Sequence, residues 1–167
     1  MSLHETLIRN FNEVALETAD RAPRYDGARS GPVIGASVGL PGRKIGCGID
    51  IVPPGKQACP YHFHYAQEEV FIVLEGEGTL RVAGEMVPIR AGDVISIPPG
   101  PAYPHHILNT SSAPLKYLSL STREYPEVCE YPDSGKYMAY TSADGPLLQR
   151  GRMHRPETDL DYWDGEA

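Results

Sequence analysis

Cysteine is scarce in this 167-residue chain: Cys47, Cys59 and Cys129 are an odd number, widely spaced and without a Cys-x-x-Cys pair. That indicates neither a disulfide framework nor a thiolate zinc site, and leaves buried reduced thiols as the expectation. No apolar run approaches the length of a membrane span, and Met1-Ser2-Leu3-His4-Glu5 lacks the basic segment and apolar stretch of a secretory leader. A cytoplasmic location with no membrane partner is therefore expected. Lysine and arginine number 15 against 22 Asp and Glu, a net charge of −7, and form no cluster, so no nucleic acid is expected as a partner. The length suits one domain with a real core and is short for two.

What the chain does have is 17 glycines and 16 prolines without a collagen-like period, the mark of many turns between short strands. Beta-type runs are predicted over Lys44–Val52, Tyr61–His64, Glu69–Leu74, Thr79–Val82, Glu85–Ile89, Asp93–Ile97, His105–Asn109 and Leu115–Ser121. Breaks such as Pro53-Pro54-Gly55, Gly76-Glu77-Gly78, Ala91-Gly92 and Pro98-Pro99-Gly100-Pro101 separate them, which points to an antiparallel meander or jelly roll. Before them, Leu7, Ile8, Phe11, Val14 and Ala15 recur at helical spacing within Leu3–Leu16, and Pro23–Arg43 reads as a loop with one short strand near Ala36–Leu40. After Arg123 the pattern weakens to a turn at Tyr131–Gly135, a strand over Lys136–Thr141 and a polar tail in which Tyr162 and Trp163 are expected to dock. Val70-Phe71-Ile72-Val73-Leu74 is apolar on both faces, so a second layer must cover it, and a homodimer is expected to supply that cover.

The chemistry gathers around four residues. His62 and His64 are two apart, so on a strand both imidazoles share a face. Glu69 begins an apolar run whose same face carries Phe71 and Val73, where an unpaired carboxylate is costly and a cation removes the cost. In His105-His106-Ile107-Leu108-Asn109, alternation puts His105, Ile107 and Asn109 on one face and His106 on the other. Three imidazoles and a carboxylate suit one divalent transition metal, Fe, Mn, Zn, Ni, Co or Cu, without choosing among them. The competing reading is a metal-free polar cluster, which needs many compensating hydrogen bonds. Phe71, Val73 and Ile107 are candidate pocket walls as well as core, Asn109 and Tyr103 candidate outer contacts, and Glu68 is expected to point away.

These residues carry a resemblance. Gly55, six residues, His62-Phe63-His64, four residues, Glu69, six residues and Gly76 are similar to the first cupin motif, with one extra residue after the initial glycine. Gly92, five residues, Pro98-Pro99-Gly100, then His105, three residues and Asn109 resemble the second, with two additional residues between Gly100 and the histidine. The spacing to Asn109 and the alternation favour His105 over His106. The later segments Glu130–Lys136 and Asp161–Glu166 look like features of a bacterial subgroup of single-domain cupins.

The resemblance implies an all-β cupin, a double-stranded β-helix or jelly-roll barrel with a short N-terminal extension and an irregular C-terminal tail. Its expected divisions are 1–42 packing on the barrel, 43–123 as barrel core and 124–167 as C-terminal extension. It also implies metal ligation by His62, His64, Glu69 and His105 and a small-molecule ligand. Two functions are open: a mononuclear metal enzyme of dioxygenase or isomerase type acting on a small polar organic molecule, or a non-catalytic cupin that binds or senses a sugar-like ligand.

Overall fold

Turn residues cut the chain into strands where the sequence predicts them. The computed structural model describes residues 2–20, 22–35, 44–141, 152–158 and 160–166. Its strands are β1 (Glu17–Thr18), β2 (Arg29–Ile34), β3 (Ile45–Val52), β4 (Phe63–His64), β5 (Glu69–Glu75), β6 (Glu77–Val82), β7 (Glu85–Arg90), β8 (Val94–Ile97), β9 (His105–Leu108), β10 (Leu115–Thr122), β11 (Glu127–Tyr131), β12 (Lys136–Tyr140) and β13 (Arg152–His154). Between β5 and β6 stands Gly76 alone, at φ 82°, where a side chain would strike the Pro114 carbonyl at 2.5 Å. Among the described residues no helix is long and apolar enough to cross a membrane.

Three antiparallel sheets result, in the orders β1-β2-β3-β10-β5-β8, β13-β12-β11-β4 and β7-β6-β9. This is the jelly-roll architecture expected. Alternation sorts the large sheet into two faces. Val52, Phe71, Val73, Leu115 and Tyr117 face inward and pack with Ile97 of the same sheet and with Leu80, Ile89 and Ile107 from the three-stranded sheet. Each such side chain, fully buried, contributes about 1.5–3 kcal/mol. The outer face carries a second cluster of Val33, Cys47 and Ile49, against which Leu74, Leu118 and Leu120 pack.

Four expectations need correction. The helix is only Leu3–Leu7, capped by Ser2 with Glu5. Beyond it the Asn10 side chain accepts from the Asn12 amide at 3.0 Å, a local turn that competes with helix, and Phe11, Val14 and Leu16 join the outer cluster instead. The N-terminal segment thus supplies part of the cover over Leu74. Within the expected loop lies β2, paired with both β1 and β3, while the strand expected at 36–40 lies outside the described residues. The stretch past Arg123 contains β11 as well as β12. Tyr162 and Trp163, expected to dock, are exposed and rest edge to face on each other.

Candidate metal centre and its cleft

The two histidine segments are tied together by backbone. The amide of His62 donates to the His105 carbonyl at 3.1 Å and that of His105 to the His62 carbonyl at 2.8 Å, a reciprocal bridge that sets the two residues opposite one another. Glu69 opens β5 on the inward face, two residues before Phe71. His62, His64 and His105 all turn Nε2 toward one carboxylate oxygen: Glu69 Oε2 lies 3.6 Å from His62, 3.6 Å from His64 and 2.9 Å from His105.

Two of the rings are held in a defined tautomer. His62 Nδ1 lies 2.8 Å from the Pro60 carbonyl and His105 Nδ1 3.0 Å from the Tyr103 carbonyl. A carbonyl only accepts, so Nδ1 donates in each neutral ring and the lone pair sits on Nε2, aimed at the shared centre. Yet Glu69 Oε2 and His105 Nε2 are buried without a well-aligned hydrogen-bond partner among the described residues. Ligands on one ion with bonds of about 2.1 Å stand roughly 3 to 3.5 Å apart, close to the separations seen here. The donor set and the orphaned atoms therefore fit a metal, and this buried cluster could hold one.

Sequence reasoning missed β11. Its pairing with β4 sets Cys129 opposite His64, and the ligand atoms of His62, His64 and Cys129 lie within 4.8 Å of one another, as do those of His62, Glu69 and His105. Burial pushes the Cys129 thiol up to about 11, so it is neutral unless a cation is near. Glu127, also of β11, is wholly buried and accepts the backbone amides of Tyr65, Ala66 and Gln67 at 3.0, 3.0 and 2.8 Å. One of its oxygens lies 3.4 Å from His64 Nδ1.

Charge is partitioned sharply within the cluster. Burial would raise the Glu69 carboxyl, but the neighbouring His105 and His62 rings hold it well below the usual carboxylate range, so it is ionised. Burial opposes the charged form of His62 too, yet Cys59 and Glu69 outweigh it and lift that imidazole well above its ordinary value. His106 goes the other way: burial, with the Arg81 charge, brings it down to about 4. Its ring is buried edge-on to Tyr61, whose other neighbour is the Arg81 guanidinium 3.8 Å from the ring centre. Deeper in the barrel, burial raises the Asp50 carboxyl to about 6 against the pull of a 2.8 Å hydrogen bond from Ser119.

A cleft of about 350 Å³ opens on His64 and Glu69. The expected pocket residues are placed elsewhere. Phe71, Val73 and Ile107 are in the core, where Phe71 stands edge-on to the His105 ring. Asn109 donates to the Val52 and Ala113 carbonyls and accepts from Ser111, so its side chain is committed to holding a turn. Tyr103 reaches the site through its carbonyl, its side chain being exposed. Glu68 is exposed, away from the cluster. The cleft walls come instead from Gly46 and Gly48 of β3, Ser119 and Ser121 of β10, and Arg123 just beyond it.

Residues 48–121 match the family Cupin_2, the cupin domain. Over 69 residues the chain is 36% identical to the oxalate-binding protein of Thermotoga maritima, a stretch that is 41% of this chain and 54% of that protein. The chain spans little more than half the length of the curated relatives it matches. A proposed sugar phosphate isomerase from Acidithiobacillus ferrooxidans has a similar structure, with a TM-score of 0.66 and 27% identity over 80% of each chain. A sugar phosphate isomerase from Silicibacter pomeroyi shares the fold, with a TM-score of 0.73 and 21% identity over 93% of this chain and 96% of that one.

Proposed function

This chain belongs to the cupin superfamily, with its Cupin_2 domain at residues 48–121, and on that premise we propose that it is a mononuclear metal enzyme of isomerase type. Its divalent transition metal is held by His62, His64, Glu69 and His105, and its substrate is a small oxygen-rich molecule. The observation that carries the reading is the pair Glu69 Oε2 and His105 Nε2, buried, 2.9 Å apart and without aligned partners. A cation satisfies both at once.

When bound, the ion supplies Lewis acidity toward the oxygens of a substrate. The chain's own residues do the rest. Pro60 and Tyr103 carbonyls fix the His62 and His105 rings, Phe71 keeps water from the inner side of His105, and Glu127 braces the loop behind His64. Asp50, with its carboxyl near 6 and Ser119 between it and the cleft, is the group suited to move a proton. The similarity to proposed sugar phosphate isomerases supports isomerisation over dioxygen chemistry.

The test is the metal content of protein purified without added metal, for the native chain and for Glu69→Gln with His105→Ala. One ion per native chain and almost none in the double variant is expected; equal contents would overturn the ligand set. Metal-loaded protein then interconverts aldose and ketose, and loses that activity but not its metal in Asp50→Asn. The relative that binds oxalate favours a second reading, a non-catalytic binder of small chelating acids. Tight binding of such acids with no turnover of any sugar would select it.

A further inference from the structure

The cleft beside the metal centre is carved by an absence of side chains. Across the large sheet, Gly46 pairs with Ser121 and Gly48 with Ser119, and on the far side Ser121 pairs with Glu69 and Ser119 with Phe71. Neither glycine has a positive φ, so the backbone does not require glycine at either position. Space does. A Cβ at Gly48 would sit 3.1 Å from Ser119 Oγ, and one at Gly46 would lie 3.6 Å from Ser121 Oγ and 3.8 Å from Arg123 Cδ. With glycine there, both hydroxyls and the stem of Arg123 stay uncovered along a groove that ends at Glu69.

Arg123 is the cation on this groove. The ladder continues to it, its amide donating to the Lys44 carbonyl at 2.9 Å, so alternation sets it on the inward face with Ser119 and Ser121. It is half-buried, and its Nη1 lies 2.8 Å from where a Cβ of Gly35 would be. Among the described residues no carboxylate lies within ion-pair distance of it, although the chain carries 22 acidic residues. A half-buried guanidinium with no carboxylate at ion-pair distance among the described residues can take an anion from outside, and its planar fork matches a carboxylate or phosphate.

We propose that Arg123 binds a second, anionic group of the ligand, a carboxylate or phosphate one groove length from the metal-binding end, with Ser119 and Ser121 as hydrogen-bonding walls. The substrate class is then a polyoxygenated acid or phosphate ester, not a neutral sugar. This deepens the metal-enzyme reading and rests on it.

The experiment is calorimetric titration of metal-loaded protein with three 2-hydroxy acids that share one chelating head: glycolate, malate with a carboxylate tail, and 3-phosphoglycerate with a phosphate tail. Malate, 3-phosphoglycerate or both should bind about tenfold or more tightly than glycolate, and the stronger of the two identifies the tail. Arg123→Gln should bring that preference to within about twofold while glycolate affinity and metal content stay unchanged, and Arg123→Lys, which keeps the charge but not the fork, should fall between the two. No preference for a tail in the native protein, or one that survives Arg123→Gln, overturns the proposal. Failure of the underlying reading looks different: glycolate would bind equally with and without metal, whatever residue 123 is.

Discussion

His105 and His106 are neighbours in the chain, but the His105 ring meets Glu69 at 2.9 Å inside the barrel while the His106 ring stands edge-on to Tyr61, with ring centres 5.5 Å apart, on the other face of β9. One strand therefore gives the two imidazoles separate environments. His105→Ala should lower metal affinity by at least about a hundredfold, and His106→Ala should leave it within about threefold while costing about 1–3 kcal/mol of stability. Metal titration and denaturant midpoints of the two variants read both effects. The reverse order of metal loss would place the wrong ring at the centre.

Glu127 acts on the centre through the chain it holds. Its two oxygens accept three amides and approach His64, so Glu127→Ala leaves buried donors at Tyr65, Ala66 and Gln67. A loss of about 3 kcal/mol or more is expected in urea unfolding. Glu127→Gln keeps an acceptor but removes the charge, and should weaken metal by about ten- to a hundredfold with a smaller loss of stability. Unchanged metal affinity in Glu127→Gln would limit Glu127 to holding the loop.

Protonation links this centre to pH in two directions. In metal-free protein Cys59 and Glu69 raise His62 above its ordinary 6.5 against the opposing effect of burial, so its interaction with them contributes fully below 6.5 and is lost as pH rises through the raised value. Glu69 is lowered from 4.5, so its contribution is present above 4.5 and is lost only as pH falls through the depressed value. Metal must displace the His62 proton. Loading at pH 7 should release protons, and affinity should climb up to about tenfold per pH unit until His62 is neutral, so acid release begins at a higher pH than for a free histidine. Calorimetry in buffers of different ionisation enthalpy counts those protons; a count of zero at pH 7 means His62 is already neutral.

Asn109 is 1% exposed and spends its amide on Val52, Ala113 and Ser111. Asn109→Ala should cost about 2–4 kcal/mol and leave metal affinity unchanged. Loss of metal at full stability would return this residue to the pocket.

The large sheet ends at β8, where Val94 is 66% exposed beside half-buried Ile72. An unpaired edge with an apolar side chain invites strand or face pairing. We propose that a second copy covers it. Sedimentation at micromolar concentration should give two chains, and Val94→Lys should give one; a native monomer would overturn the pairing.

Strand alternation made the metal candidates legible, because His62, His64, Glu69 and His105 are polar residues on otherwise inward apolar faces. β11 escaped because its polarity is inverted: Glu127 and Cys129 face in, while Val128 and Glu130 are half-buried on the other side. No periodicity marks such a strand. β2 was hidden by Gly31 and Pro32, although it is paired on both sides. The open cleft wall was hidden for a similar reason, since Gly46, Gly48, Ser119 and Ser121 carry no hydrophobic signal. Phe71 and Val73, which share a face with Glu69, are in the core as expected and do not line the cleft that opens on it.

Residues 124–141 lie beyond the 48–121 match, yet they bring Glu127 and Cys129 to the centre. The barrel is consequently not a module that can be moved by its family boundaries. A chimera that grafts 48–121 onto another cupin's flanks would carry all four candidate ligands and leave the 65–67 loop without its carboxylate anchor, so exchange of specificity between relatives has to take β11 along with the strands it clasps.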